Sequence, residues 1–334
     1  MSAAIVGAGA ARTGAGAAII GAGAVSAFGV GWRGLGKAVR DRLLAPRPSR
    51  ELAASHPGTL SSEVPPLAAA EDAGDPKARK LMSRSARLGA IALREALRDA
   101  RSEGDRSEVG AFFGVGSSAA SMVDDVPSLL RHSLTSGKLD LAALGERGLS
   151  AVSPLFTFQT LSNFTLCHGA ILEGLGGPNG AFFSRGRGTE TALAEAIFSL
   201  ETGDCDLALA GAADTAVHPL TWAELCRGGH PARGFVPGEA GAALALSRSA
   251  DRPLAFIAPC DPAERADLTV VAHCWSDRPT PPGAIDVSAA LGFSLAAAPA
   301  LAWLVALDLL ETTAVVLSRD PDGELSAVRL WRPE

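Results

Sequence analysis

The stretch that decides the fold class is Thr189–Leu200 followed by Gly203-Asp-Cys-Asp-Leu-Ala-Leu-Ala-Gly-Ala-Ala213. Leu193, Ile197 and Leu200 recur at helical spacing on one face,. Gly203 ends that helix, and Asp206-Leu-Ala-Leu-Ala-Gly211 is an apolar run too short for another,. A helix, a glycine stop and a strand buried on both faces point to an α/β chain with partly parallel sheets. Upstream, Ser83–Ala100 reads as a helix with Leu88, Ala92, Ala96 and Leu97 on one face. Arg84, Arg87, Arg94, Glu95, Arg98 and Asp99 take its other faces,. Val109–Val115 follows as a strand. Nearer the N-terminus, Ala17-Ala-Ile-Ile-Gly21 reads as a buried strand closing in a tight turn, Gly21-Ala-Gly23-Ala-Val-Ser26,. A helix is expected over Gly31–Arg42, then a long surface excursion over Pro46–Lys80,. Downstream, Ala266–Ala272 and Thr313–Ser318 read as strands flanking an alanine-rich helix, and Trp331 ends a last short strand.

A chain of 334 residues predicts two domains or one large duplicated one,. Hydrophobic residues make up 47% and charged residues 20%, which suits a folded chain rather than a disordered one,. Thirty Lys and Arg against 36 Asp and Glu leave a net charge of −6, against a nucleic-acid partner,. The five cysteines are scattered without a CxxC pair, which predicts a reducing compartment and a cytoplasmic location,. Ala289–Leu307 is uncharged and long enough to span a bilayer, but Pro299 interrupts it and Asp308 follows it,. It reads as a buried helix, so no membrane partner is expected. Ala3–Phe28 lacks the basic start and leucine-rich centre of a signal peptide,. Its first part, Ala3–Ala10, nearly copies the strand at 17–24, and residues 1–16 read as a flexible leader.

The glycines at 21 and 23 invite a dinucleotide-binding reading. That fingerprint needs a third glycine where the chain has Ser26, and the upstream copy fails likewise at Arg12,. A plain turn is the better reading, and no cofactor is expected. His56, His132, His168, His218, His230 and His273 never fall four residues apart, and no Cys/His group has metal-ligand spacing,. Cys167 and His168 are neighbours whose side chains diverge on a helix, so Cys167 reads as a small buried hydrophobe,.

Several segments, in order, resemble β-ketoacyl synthases. Ile19-Ile-Gly-Ala-Gly-Ala-Val-Ser-Ala-Phe-Gly29 is similar to their first strand and turn, and Met82–Ala100 to their first long helix. Gly177-Pro-Asn179 with Gly203–Ala213 resembles their nucleophile region, and Gly234-Phe-Val-Pro-Gly-Glu239-Ala-Gly241 the loop and strand closing their first half. Gly292 with Ala296-Ala-Ala-Pro-Ala-Leu resembles the glycine–histidine motif and helix of the second half. The resemblance covers most of the chain. It implies a thiolase-like fold of two related βαβαβ halves, layered α/β/α/β/α, over residues 17–247 and a shortened 248–334.

The departures set the functional expectation. The family places its cysteine nucleophile seven residues after the GPN asparagine, and counting from Asn179 lands on Gly186. Glycine offers no thiolate for acyl transfer. The histidine after the motif glycine is replaced by Phe293, while His273 matches the other histidine as a remnant. Without the histidine pair, the decarboxylated carbanion loses its oxyanion donors. The resemblance therefore implies a non-catalytic, chain-length-factor-like subunit. It would pair with a catalytic ketosynthase as a heterodimer, work with an acyl carrier protein, and shape the acyl-chain tunnel. Asn179, Phe182, Phe183 and Ser184 correspond to the strand that pairs across the family's dimer, and Phe156, Phe158 and Phe164 add aromatic surface upstream. Arg185 and Arg187 flank the nucleophile position at a helix N-terminus, where the dipole disfavours cations,. They are expected to meet carboxylates or phosphate from a partner, or an acid within the fold. The competing reading is an acyltransferase or decarboxylase built around His273, Cys274 and Cys167.

Overall fold

The computed structural model describes residues 16–74, 76–103, 105–116, 125–154, 159–183, 187–273, 281–319 and 325–333. Ten strands carry the architecture: β1 Ala17–Ser26, β2 Gly110–Val115, β3 Asn179–Phe183, β4 Leu207–Thr215, β5 Glu239–Ser247, β6 Ala255–Pro259, β7 Leu268–Val271, β8 Ile285–Asp286, β9 Thr313–Arg319 and β10 Leu325–Trp331. The helices are α1 Leu35–Arg40, α2 Arg84–Asp99, α3 Asp125–Ser133, α4 Phe164–Glu173, α5 Arg187–Thr202, α6 Pro219–Arg227, α7 Ser288–Leu291 and α8 Ala297–Leu309.

The main strands run β8-β7-β9-β10-β6-β1-β5-β4-β2-β3 across one continuous sheet. Within β1–β5 the spatial order is third, second, fourth, fifth, first, and β6–β10 repeat it. In each set the two outer pairs are parallel and the two inner pairs antiparallel. The two sets meet through the antiparallel β1–β6 pair, Ala17 opposite Ile257.

Side-chain alternation along the strands assigns the layers. In β2, Ala111, Phe113 and Val115 point to the face covered by α2, with Leu88, Ile91 and Leu97,. Phe112 points the other way, into a core shared by α5, α8 and both strand sets. There Leu193 and Ile197 of α5 and Trp303 of α8 meet Ala210 and Leu244 on one side and Val270 and Val316 on the other. Burial of α8 on every side from Ala297 to Leu307 explains its uniformly apolar sequence,. Among the described residues no helix is long and apolar enough to cross a membrane.

Three expectations change. β1 does not end at Gly21 but continues to Ser26, so Gly21 and Gly23 lie inside a strand. A Cβ on Gly23 would stand 2.3 Å from the Ala92 carbonyl oxygen, and one on Gly21 2.4 Å from the Ala100 amide nitrogen. These glycines admit the α2 backbone rather than form a turn or a phosphate cradle. The helix expected over Gly31–Arg42 shrinks to Leu35–Arg40, because Gly34 sits at φ 84 and Asp308 caps the helix from across the fold. The excursion at 46–80 is pinned down by one buried carboxylate. Glu239, 3% exposed, accepts two bonds from Arg84 at 2.9 and 2.5 Å and one from the Val64 amide at 2.9 Å.

Candidate functional site

The site forms where α5 and α8 begin and where β7 and β9 end. Arg187 and Glu190 come from the first turn of α5, and His273 follows β7. Phe293, Ala298 and Pro299 come from the entry to α8, and Ser318 and Arg319 from the end of β9. The sequence-predicted Arg187, His273 and Phe293 thus line one cavity. The space between them is about 10 Å3, at the lower limit of what a single water needs.

An aromatic cluster fills it. Phe235 lies 4.1 Å from the His273 ring and 4.6 Å from Phe293, edge to face, and Phe293 lies 4.5 Å from His273. Phe293 is 4% exposed and His273 3%. Ser288 Oγ donates to Asp286 Oδ1 at 2.8 Å. That leaves its lone pair to accept from His273 Nδ1–H at 3.0 Å, which fixes the neutral tautomer,. Burial, with Arg233 and His230 nearby, pushes His273 down to about 3. This imidazole is held as a packed neutral ring.

Two buried carboxyls flank the cavity. Burial raises Glu190 to about 7, against bonds from Ser326 and Ser318 and the charge of Arg187. Arg187 and Glu190 line the same cavity from the first turn of α5. Asp214, at the end of β4, is likewise raised to about 7 by burial, although it accepts from the Thr215 amide at 2.8 Å and the Ala296 amide at 3.3 Å. It ties β4 to the entry of α8.

These groups make a pH prediction. The folded chain refuses on His273 a proton that the unfolded chain binds near 6.5. Stability is therefore lost as pH falls from there towards 3, by up to about 1.4 kcal/mol per pH unit. His218, lowered by burial to about 4, acts in the same direction. Asp214 and Glu190 oppose them, since the folded chain takes up their protons below about 7 while the unfolded chain waits until about 4. The histidine share is isolated by His273→Phe. Urea midpoints at roughly pH 7, 6 and 5 should show the variant gaining on the parent with each step down. A pH-independent difference would refute the assignment.

Of the thiol-based alternative, Cys167 and His273 are not brought together. Cys167 lies on α4, whose Leu166 packs with α2, whereas His273 lies on the α5/α8 side of the sheet. Burial raises the Cys167 thiol, with Asn163 donating weakly to it at 3.9 Å. Cys274 falls outside the described residues, as do Gly186, Ser184, Arg185, Phe156 and Phe158. Phe164 opens α4 and packs at 5.0 Å from its neighbour His168. No group of three metal-ligating side chains occurs among the described residues.

β3 lies at the rim of the sheet and, among the described residues, pairs only with β2. Phe183 is 63% exposed, Phe182 is half-buried against the central core, and the Asn179 side chain returns to the Gly177 carbonyl at 3.4 Å. Phe235, Ser288, Asp286, Asp214 and Glu190 are among the contributors that escaped the sequence reading. Phe235 stood inside a quoted motif, but only the three-dimensional contact with His273 reveals its role.

The fold is similar to solved structures. The ishigamide ketosynthase/chain length factor superposes with a TM-score of 0.72 at 20% identity, covering 96% of this chain and 100% of its own. A type II PKS acyl-carrier protein complex with its ketosynthase bound to the hexaketide (AntDE:AntF) gives 0.72 at 13%, covering 95% and 99%. A β-ketoacyl synthase from Burkholderia phymatum STM815 gives 0.70 at 17%, covering 96% and 100%. These likenesses establish the thiolase-like fold. In sequence, residues 18–252 match the family described as Beta-ketoacyl synthase, N-terminal domain. With most of its length matched in sequence and its strand order repeated twice, the chain belongs to the β-ketoacyl synthase family.

Proposed function

We propose that this chain is a non-condensing ketosynthase-fold subunit. It pairs with a catalytic β-ketoacyl synthase and, with an acyl carrier protein, shapes the acyl tunnel of a dissociated polyketide, polyene or fatty-acid-like synthase in the cytoplasm. The observation that carries this is the packed site. Where the family has an open pocket with a thiolate and two histidines, this chain has Gly186 and Phe293 in its sequence, and a neutral His273 packs against Phe235 and Phe293, with about 10 Å3 left between the described side chains. The described side chains leave no room there for an acyl chain, and Gly186 offers no thiolate to hold one,. The open β3 edge, with Phe183 exposed, supports pairing with a second ketosynthase-fold subunit,. Half-buried Phe182, packed from the same strand against the core, is the candidate wall of a shared tunnel.

The test is a condensation assay with acyl and malonyl carrier thioesters. The purified chain alone should give no product above background, and Gly186→Cys should not restore it, because Phe293 and Phe235 still occupy the pocket. Co-purified with its ketosynthase, the same sample should condense at the partner's thiolate. Product formed by the isolated chain would overturn the proposal.

A further inference from the structure

One serine at the packed cavity has two neighbours and a single hydrogen. Ser326 Oγ stands 3.0 Å from Glu190 Oε1 and 3.4 Å from the Ser318 carbonyl oxygen. A hydroxyl donates once and accepts through its lone pairs. Beside an ionised Glu190 both neighbours are acceptors only, so one of the two contacts goes unmade. Beside a protonated Glu190 both are made: the carboxyl O–H donates to Ser326 Oγ, and the Ser326 O–H donates to the Ser318 carbonyl. The second carboxyl oxygen points the same way. Glu190 Oε2 is sealed from solvent with no hydrogen-bond donor in reach among the described residues. A neutral carbonyl oxygen tolerates that position far better than half of a carboxylate charge does.

This relay joins three elements. Glu190 belongs to the first turn of α5. Ser318 and Ser326 face each other across β9 and β10, one rung before the last pair, Arg319 with Leu325. A helix that follows the first strand set is thereby tied to two strands of the second. The groups around Glu190 come from every side of the cavity. Arg187 lies three residues before it on α5, and Arg319 ends β9. His273, after β7, is held neutral, and the entry to α8 offers only Phe293, Leu295, Ala298 and Pro299. Asp214 sits behind that entry, on the Ala296 amide. The charge of Arg187 favours ionisation, but burial outweighs it and raises Glu190 to about 7.

We propose that Glu190 is a proton-dependent latch: its protonated carboxyl ties the ends of β9 and β10 to α5 and holds the packed cavity shut, and its ionisation favours release. The latch belongs to this chain's own cavity and works with or without a ketosynthase partner. The space of about 10 Å3 cannot hydrate a carboxylate,. An ionised Glu190 therefore gains water only when the strand ends move away from α5. The direction follows from the proton. The closed form keeps it up to about 7, whereas the open form releases it near 4.5. Acid closes the latch. Opening becomes easier as pH rises between those two values and levels off above the upper one.

The test is hydrogen exchange of the full chain, read by mass spectrometry on peptides from β9 and β10 and corrected for the intrinsic pH dependence of amide exchange. Between about pH 5 and 7, opening in the parent should rise by up to about tenfold per pH unit and then level off. Glu190→Gln keeps the relay without a titrating proton, because its amide N–H donates to Ser326 in place of the carboxyl O–H. That variant should lose the slope and stay protected across the range. Ser326→Ala removes the relay and keeps the acid, so at about pH 5 it should open about tenfold more readily than the parent. A parent without the slope, a slope that survives Glu190→Gln, or a Ser326→Ala variant as protected as the parent would each overturn the proposal. A slope that survives Glu190→Gln but vanishes in Asp214→Asn would give the proton to Asp214 instead.

Discussion

If the proposed pairing holds, Phe183→Glu should abolish co-purification with the ketosynthase while leaving the chain itself folded. β3 is the last strand of its sheet and bonds on one side to β2, Ala111 opposite Asn179 and Val115 opposite Phe183. Among the described residues no strand pairs its other side, and Asn179, Ala181 and Phe183 are all exposed. Such an edge needs either a cover or a charge, and this one carries a phenylalanine 63% exposed,. A central interface aromatic is worth about 2–4 kcal/mol, and a carboxylate in its place adds the cost of desolvating a charge. The affinity loss should therefore exceed about a hundredfold. Within the folded chain the same side chain touches little, so the melting temperature of the isolated variant should move by only a degree or two. The exposed edge also predicts that the parent chain expressed alone self-associates, and the glutamate variant should do so less. A variant that still co-elutes with the partner at parental yield would remove β3 from the interface.

Where sequence and structure agree, one physical pattern is responsible. Leu193, Ile197 and Leu200 repeat at helical spacing because α5 buries one face, and the Leu207–Ala213 run is continuous because β4 is covered on both. α8 was legible from composition alone, since a helix buried all round has no polar face,. The extent of β1 was not. Gly21 and Gly23 look like turn residues to any local rule, and only the helix lying over them explains their place in a strand. β6 was invisible for a related reason: Ala255–Pro259 is five residues between Pro253 and Pro262, and it becomes a strand by pairing with β1 and β10. At the site, losses were easier to see than gains. Gly186 and Phe293 stand out against the family pattern, but Phe235, Ser288 and Asp286 replace the lost chemistry with packing that appears only when three separate segments meet.

Gly23→Val is expected to cost the chain its fold, through contacts that no rotamer can relieve. α2 crosses β1 and β5 at close range, and each crossing point is a glycine. A Cβ at Gly23 would stand 2.3 Å from the Ala92 carbonyl oxygen and 2.4 Å from the Ala96 amide nitrogen, and one at Gly241 2.3 Å from the Leu88 carbonyl oxygen. The opposing atoms are backbone, held in the helix ladder, so relief requires lifting the whole helix by about an ångström or more. Lifting α2 opens the layer in which Leu88, Ile91, Leu93 and Leu97 are fully buried, and it pulls Asp99 from its bonds to the Ala22 amide and the Trp32 indole, both at 3.0 Å. Overpacking of this kind costs about 3 kcal/mol, and the partial loss of a packed layer adds to it, against a typical total of about 5–15 kcal/mol. Gly29→Ala is the matched control. Nothing lies within 4 Å of its added Cβ, so only the backbone at φ 106 is strained, at about 1–3 kcal/mol. Urea unfolding should rank the parent first, Gly29→Ala next, and Gly23→Val last or already unfolded without denaturant. If Gly23→Val unfolds at the same urea concentration as Gly29→Ala, α2 does not lie on β1 as described, and the turn reading of Gly21–Ser26 returns.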